Sequence, residues 1–554
     1  MIEEFFNQRL KRGLIRRLNN LKISRMARLV ARRSPPSSSA PVVFFKASTG
    51  IDDLSWNSGF HLLTSWALRL KGIPVAYFAC HSGMSHCVLG TNREDVRKAP
   101  PCKSCIYQSK TLYKGVQANR YIAKQVNKLP DNRHSTHVTW FDYQRDSQLG
   151  ASIENLPLQD LVIFQWQDVP LGALCLPGLR WILRIHHLND DASTRYLLRE
   201  YILSAWNVAQ KFADFLDQTQ PQAVVVFNGQ FFPEATARYI AQKRGIRVIT
   251  HEVGLQPASA FFTDGEATAY PIHIPDDFEL NEEQNAKLDA YLEKRFQGDF
   301  TMAGIKFWEG MEGLDELFLQ MAAGFKQTVP IFTNVIFDTS QPHANTVFED
   351  MFDWLDMALE VIRAHPETLF VIRAHPDEWR VRKVSRETVS AWAQASGAQK
   401  EPNVVFVAPN ETLSSYELIQ KSKFVMVYNS TIGLEASIMR TAVLCAGKAR
   451  FTHATRPTVF FPQTVAEVRR KMEEFLEAEK IDVPPEFTRN ARKFLYYQLF
   501  RTSLPFGEFL EPSVRTTQTR LKSFRLDELS PENSKAIEAI FAGLLNNGDF
   551  LLGE

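Results

Sequence analysis

The amino-acid sequence predicts an α/β protein: two doubly wound domains in tandem, each a parallel sheet with helices on both faces, facing a common cleft, with helical extensions at both ends. Three observations carry this. Short apolar runs alternate with stretches of helical period at the spacing of βαβ units. The alternation occurs twice, on either side of a polar stretch at 276–325 that is rich in Glu, Asp and Lys. The chain has 554 residues, 45% of them hydrophobic, enough for more than one core.

Along the chain, residues 1–33 come first. They hold ten Lys/Arg against Glu3 and Glu4, a charge of +8 in a chain whose total is +2. Phe6, Leu10, Leu14, Leu18 and Leu21 recur at helical steps. Such a basic amphipathic helix can lie on the anionic inner leaflet of a membrane, dock on its own protein, or stand as a solvated arm. The Ser/Pro run 34–39 reads as a linker, so residues 1–40 precede the folded body. The first domain, 41–290, opens with a buried strand at 42–46, a helix at 59–70, a turn at Gly72-Ile73-Pro74 and a strand at 75–79. Helical sequence near Tyr121 and a strand at 161–166 follow. A long helix at 196–216 then leads to a strand at 223–227, a helix at 233–244 and a strand at 247–250. The second domain, 291–464, starts with linker helices and repeats the pattern. Its strands are expected at 329–337, 368–373, 404–407, 424–428 and 442–446, and helices at 348–364, 385–395, 414–420 and 432–439 separate them. Residues 465–554 read as mainly helical.

Composition excludes several classes. A net charge of +2 argues against a polycation built for nucleic acid. Six cysteines are too few for a disulfide scaffold of this size. No apolar run is long enough to span a bilayer: the nearest, 161–183, is interrupted by Gln165, Gln167, Asp168 and two prolines. With no apolar leader segment, the expected compartment is the cytoplasm, with the inner membrane face as the site of peripheral contact.

Ligands of doubly wound sheets bind beyond the carboxyl ends of the strands, and two spots fall there. The strand 369–373 runs into Ala374-His375-Pro376, which would stand an imidazole donor at the strand end on a turn stiffened by proline. The strand 424–428 runs into Asn429-Ser430-Thr431, with Gly433, Glu435 and Ala436 in the helix behind. A Ser/Thr helix start suits a diphosphate, and Glu435 could accept from a ribose hydroxyl pair. Taken singly, each spot also reads as a turn histidine or an ordinary helix cap.

Together, strand–Arg373-x-His375-Pro376 and strand–Asn429-Ser430-Thr431-x-Gly433-x-Glu435 resemble the bacterial capsular and surface polysaccharide glycosyltransferases of GT-B fold, the group with HP and S/T motifs. The stretch Asn228-Gly229, Gly245-Ile246-Arg247-Val248, Glu252-Val253-Gly254 resembles the same group. The resemblance implies two Rossmann-like domains and a CMP-, CDP-, UDP- or GDP-linked sugar donor. His375, Pro376, Ser430 and Thr431 would hold its phosphates, helped by Arg373, Asn429, Gly433 and Glu435. It implies a polysaccharide or glycolipid acceptor near Asn228, Gly229, His251 and Gly254, and chemistry without a catalytic metal. Inverting transfer needs a base for the acceptor hydroxyl. Glu252 is the first candidate, followed by Asp52 and Asp53 and then His251. Two other readings stand beside this one: a nucleotide-sugar 2-epimerase of the same fold, and a non-catalytic sugar- or nucleotide-binding assembly protein.

Cys80, Cys87, Cys102 and Cys105 have the spacing C-x6-C-x14-C-x2-C. Four soft ligands fit a structural zinc; buried thiols or disulfides are the alternatives. Cys175 and Cys445 sit in apolar sequence and read as core.

Overall fold

Strand β1 (Val42–Lys46) is buried at every position, and its side chains alternate between two cores. Val43 and Phe45 join one cluster with the helix Ala192–Thr219, while Val42 and Phe44 join another with the helix Trp56–Leu70. That is the signature of a strand covered on both faces. The structure, a computed structural model, describes residues 2–37, 39–46, 51, 53–120, 135–297, 301–302, 305–306, 313–380 and 384–553. The candidate Asp52 and the helical stretch expected near Tyr121 lie outside them.

The first sheet contains β1, β2 (Val75–Cys80), β3 (Gln117–Arg120), β4 (His137–Phe141), β5 (Ala223–Phe227), β6 (Val248–Val253) and β7 (Ser259–Asp264). Its spatial order is β7-β6-β5-β1-β2-β4-β3, parallel from β6 to β3 and antiparallel at β7. A polar helix, Glu282–Phe296, and the short pair β8 (Thr301–Met302) and β9 (Ile305–Lys306) lead to the second sheet. There β10 (Gln327–Phe332), β11 (Thr368–Arg373), β12 (Val404–Val407), β13 (Val425–Val427) and β14 (Val443–Cys445) lie in the order β12-β11-β10-β13-β14. Every pairing is parallel, the 3-2-1-4-5 order of a Rossmann half. Two such sheets, covered by helices and opposed across a cleft, make this an α/β protein of GT-B type.

The chain after Val465 is mainly helical in its regular elements, as the sequence predicts, with a short edge strand and a hairpin that the sequence reading does not include. The helix Val465–Glu477 buries Val468, Met472 and Phe475 against the second sheet. The helix Pro485–Tyr496 then carries the chain back, and β15 (Leu504–Pro505) pairs antiparallel with β7 at the edge of the first sheet. The hairpin β16 (Leu510–Pro512) with β17 (Thr519–Leu521) and the helix Lys535–Leu545 finish on that half, where Ile537, Ile540 and Leu544 are core.

Two further expectations change. Residues 161–166 are not a strand: Leu158–Val162 is a short helix, and Trp166 only bridges Val169. A short apolar run buried inside a helical layer looks the same in sequence as a buried strand. The N-terminal helix, Ile2–Arg33, divides in function. Ile23, Ala27 and Val30 are fully buried on the first half, and Lys22 Nζ and Asn19 Oδ1 bind the backbone of Leu521 at 3.0 Å each. Burial of Ile23 and Val30 stabilises the docked part by about 1.5–3 kcal/mol each. Leu14, Leu18 and Leu21 remain 59%, 56% and 68% exposed. No helix among the described residues is long and apolar enough to cross a membrane.

Candidate functional site

β10 lies between β11 and β13, so the loops leaving the carboxyl ends of β10 and β13 part in opposite directions and open a crevice. A cavity of about 250 Å³ occupies it. The second half contributes Asn334, Val335 and Asp338 after β10, His375, Asp377 and Arg380 after β11, Asn429, Ser430 and Thr431 after β13, and Lys448 and Arg450 after β14. The first half closes it with Leu255 and Thr268 to Tyr270. Four of the donor-side residues expected from sequence, His375, Asn429, Ser430 and Thr431, therefore line one cavity.

Their local geometry explains why. His375 caps the turn Pro376–Glu378, and its Nδ1 accepts the Asp377 backbone N–H at 3.1 Å. That bond leaves the proton of a neutral ring on Nε2. Asp377 pairs with Arg380 at 3.0 Å. Asn429 is fixed by the Gln341 amide at 3.2 Å. Thr431 occupies the cap position of the helix Ile432–Ile438 without spending its side chain on the cap. Gly433 serves packing: a Cβ there would come within 2.9 Å of Val427.

Arg373 and Glu435 are placed elsewhere. Arg373 is buried, donates to the Leu413 carbonyl, and burial lowers its pKa to about 10. Glu435 is 3% exposed and lies 2.5 Å from both Arg295 of the helix Glu282–Phe296 and the Tyr416 hydroxyl. It faces the core from the inner side of its helix, so it pins the linker helix to the second half rather than reaching a ribose.

On the first half, Glu252 stands at the end of β6, half-buried. Its Oε1 accepts from Asn57 Nδ2 at 2.8 Å and its own Val253 N–H at 2.9 Å, and Oε2 accepts from Asn228 Nδ2 at 3.1 Å. Burial raises its pKa; these three donors oppose the rise, and the charge of Asp338 adds to it. Behind it runs a chain of contacts: His61 Nδ1 to His251 Nε2 at 3.2 Å, His251 Nδ1 to Asn57 Oδ1 at 3.3 Å, then Asn57 to Glu252. His251 is fully buried, and burial together with Lys46 lowers its pKa to about 3, so it is neutral. Strand alternation turns it away from the face that Glu252 uses; it holds Asn57 and is no acceptor contact. Asp53 is buried and accepts the Leu54 N–H at 2.8 Å, and neither it nor Glu252 lines the cavity. Asn228 and Gly229 form a left-handed turn with φ of 62° and 79°, and a Cβ on Gly229 would meet Thr250 at 2.8 Å. Gly254 makes room for Ser259, whose Oγ would lie 2.3 Å from a Cβ.

The cations were missed from sequence. Arg450 lies over the Tyr270 ring at 4.4 Å, and burial lowers its pKa against the pull of Tyr270 and Asp338. Lys448 and Arg450 follow β14 directly and Arg380 follows His375 closely, so a search for every cation at a strand's carboxyl end would have found them. Tyr270, whose hydroxyl donates to the Val253 carbonyl, has no local sequence signal. A second cavity of about 550 Å³ shares Tyr270, His343, Lys448 and Arg450 with the first and opens toward β7 and the chain end near Phe550.

The four clustered cysteines converge on a separate narrow pocket. Cys175 and Cys445 are fully buried in the core. Among the described residues, the group of three or more metal-type ligand atoms lying within 4.8 Å of one another is His186, His187 and Asp350.

Fold and cavity define a two-domain α/β protein with a cation-lined crevice between its halves. Residues 315–455, about a quarter of the chain, match the family described as capsule polysaccharide biosynthesis protein. No curated protein matches the chain in sequence. Among solved structures it is similar to the KpsC β-Kdo 2,4-transferase of Thermosulfurimonas dismutans, at 11% identity and a TM-score of 0.32 over 51% of this chain and 80% of that one. The KpsC β-Kdo 2,7-transferase of the same organism has 12% identity and a TM-score of 0.30, over 56% and 85%. The UDP-GlcNAc 2-epimerase of Neisseria meningitidis bound to UDP-GlcNAc has 15% identity and a TM-score of 0.26, over 69% and 98%.

Proposed function

We propose that the chain is a glycosyltransferase of surface polysaccharide assembly, moving a sugar from a nucleotide-activated donor to a polysaccharide or glycolipid acceptor. One observation carries this reading: His375, Asn429, Ser430 and Thr431 share a cavity with Arg380, Lys448 and Arg450, at the switch point of the second sheet. Donors and cations gathered there suit the phosphates of a nucleotide and stabilise the charge that develops on them as the sugar leaves. Protein groups do this work in the proposal, without a catalytic metal. The match of residues 315–455 to a capsule biosynthesis family supports it, since all seven residues fall within that stretch.

The adjoining larger cavity takes the acceptor, and Glu252, behind the cavity wall within electrostatic reach of Tyr270 and Asp338, is the base. Its raised pKa makes it a stronger base than an exposed carboxylate, and the two asparagines fix its orientation. Thermal-shift measurements with CMP, CDP, UDP and GDP test the donor side. A nucleotide at a hundred times its Kd stabilises by about 2.7 kcal/mol, and a mixture containing none that shifts the transition refutes the proposal. Product analysis with the binding nucleotide's sugars then separates transfer from epimerisation at C2.

A further inference from the structure

Cys80 ends β2, Cys87 follows in the next loop, and Cys102 and Cys105 occupy the first turn of the helix Cys102–Leu112. Three and four positions apart on a helix is one face, so the last two thiols point the same way. All four line a single pocket whose other walls are Ile51, Met84, Leu89, Pro100, Pro101 and Ile106, with Ser82 and Gly90. None of the four forms a disulfide. No lysine, arginine or histidine lines this pocket.

Two features indicate what the sulfurs are arranged for. The Gly83 backbone N–H donates to Cys80 Sγ at 3.1 Å. Amide donors to sulfur stabilise thiolates and tune iron–sulfur centres. The spacing selects the centre. Around one tetrahedral zinc, with Zn–S of about 2.3 Å, all sulfurs lie about 3.8 Å apart. In this protein no three of the four sulfurs lie within 4.8 Å of one another. A cluster of two or four irons spreads its four thiolates wider than a single ion does.

We propose that Cys80, Cys87, Cys102 and Cys105 ligate an iron–sulfur cluster, joining the end of β2 to the helix Cys102–Leu112. Each thiol gives up its proton as it binds iron, and the cluster's inorganic sulfide completes the iron coordination. The apolar walls keep water from the centre. The site shares no lining residue with the nucleotide cavity.

The full-length protein, purified without oxygen or chelator, tests this by metal and sulfide analysis. The expected result is iron and acid-labile sulfide in equal amounts, about two or about four of each per chain, with a visible absorption band that dithionite bleaches. The double substitution Cys102→Ser and Cys105→Ser should abolish both iron and band, while Cys175→Ser should keep them. One zinc per chain with no iron overturns the cluster, as does a metal-free protein whose four thiols all react with a thiol reagent. The analysis of the unsubstituted protein decides the matter even where the double variant fails to fold.

Discussion

Glu252 shows how much of a site depends on side chains far away in sequence. Its two oxygens are held by Asn57 and Asn228, and Asn57 is in turn held by a neutral, buried His251. Glu252→Gln keeps the shape and removes the base. Transfer should fall by a factor on the order of 10²–10⁴ while nucleotide affinity stays near normal. Equal loss of both in titration and turnover would make Glu252 a donor contact. The raised pKa also sets a pH dependence: the basic form is lost as pH falls through a value above that of an ordinary carboxyl. The acid limb of turnover should therefore lie at a higher pH than a free glutamate's, and it should vanish from the residual rate of the Gln variant. His375→Ala acts on the other half. It should weaken nucleotide binding about tenfold or more, the worth of a hydrogen bond to a charged group, with only the small drop in thermal midpoint that loss of the turn cap to Asp377 brings. Unaltered affinity would remove His375 from the phosphate site.

At the scale of elements, strands buried on both faces were legible because they are continuous apolar runs: β1, β2, β5, β11 and β13 fall on or within a residue of their expected places, while β10 starts two residues early and ends at Phe332, five residues short of the expected end. β4 and β7 were not. His137, Thr139, Thr263 and Asp264 break their apolar pattern, and what makes them strands is pairing with β2 and β6, a tertiary fact. The same limit applied to the site. A motif set by neighbours in sequence, such as Ala374-His375-Pro376, could be placed at a strand end. Glu435 could not be told from a ligand contact, because its partner Arg295 lies 140 positions away. The N-terminal helix combines both cases. Its basic, Leu-bearing face was visible and docking was one of the readings left open, but that residues 19–33 are the part that docks was not. This division defines a truncation. We propose that Leu14, Leu18 and Leu21, among the arginines of the first turns, seat the protein on an anionic bilayer. Deleting residues 1–18, which removes Leu14, Leu18 and five of the helix's ten Lys/Arg, should then sharply weaken co-sedimentation with anionic vesicles at low salt while leaving the thermal midpoint unchanged. Deleting 1–33 should destabilise the fold as well, since it removes Ile23, Ala27 and Val30 from the core. Full-length protein that stays in the supernatant would refute the membrane contact.

In the whole molecule, the halves that form the cleft are joined by the covalent crossings and by a polar bridge between side chains. Glu387 of the second half accepts from the backbone N–H groups of His186 and His187 in the first, at 2.8 and 3.2 Å, and Arg386 N–H donates to the Arg184 carbonyl at 3.0 Å. The His187 ring lies between two carboxylates: Nδ1 contacts Glu387, and Nε2 lies 2.8 Å from Asp350, which also caps the helix Met351–Ala364. A ring with a carboxylate at each nitrogen is best satisfied as imidazolium, with both nitrogens donating. Burial works against that charge, but the hydrogen bonds and charges of Glu387 and Asp350 outweigh it and hold the pKa above the ordinary histidine value. A raised folded pKa contributes stability that is fully present below the unfolded value of about 6.5 and is lost as pH rises through the folded one. The bridge should therefore loosen on the alkaline side, in the range where exposed carboxylates no longer titrate. His187→Gln retains one hydrogen bond and no charge. Denaturant midpoints taken at about pH 6 and about pH 9 should fall further for the native sequence than for this variant. Identical falls would mean that the ring is uncharged between its two carboxylates and contributes no pH-dependent tie between the halves.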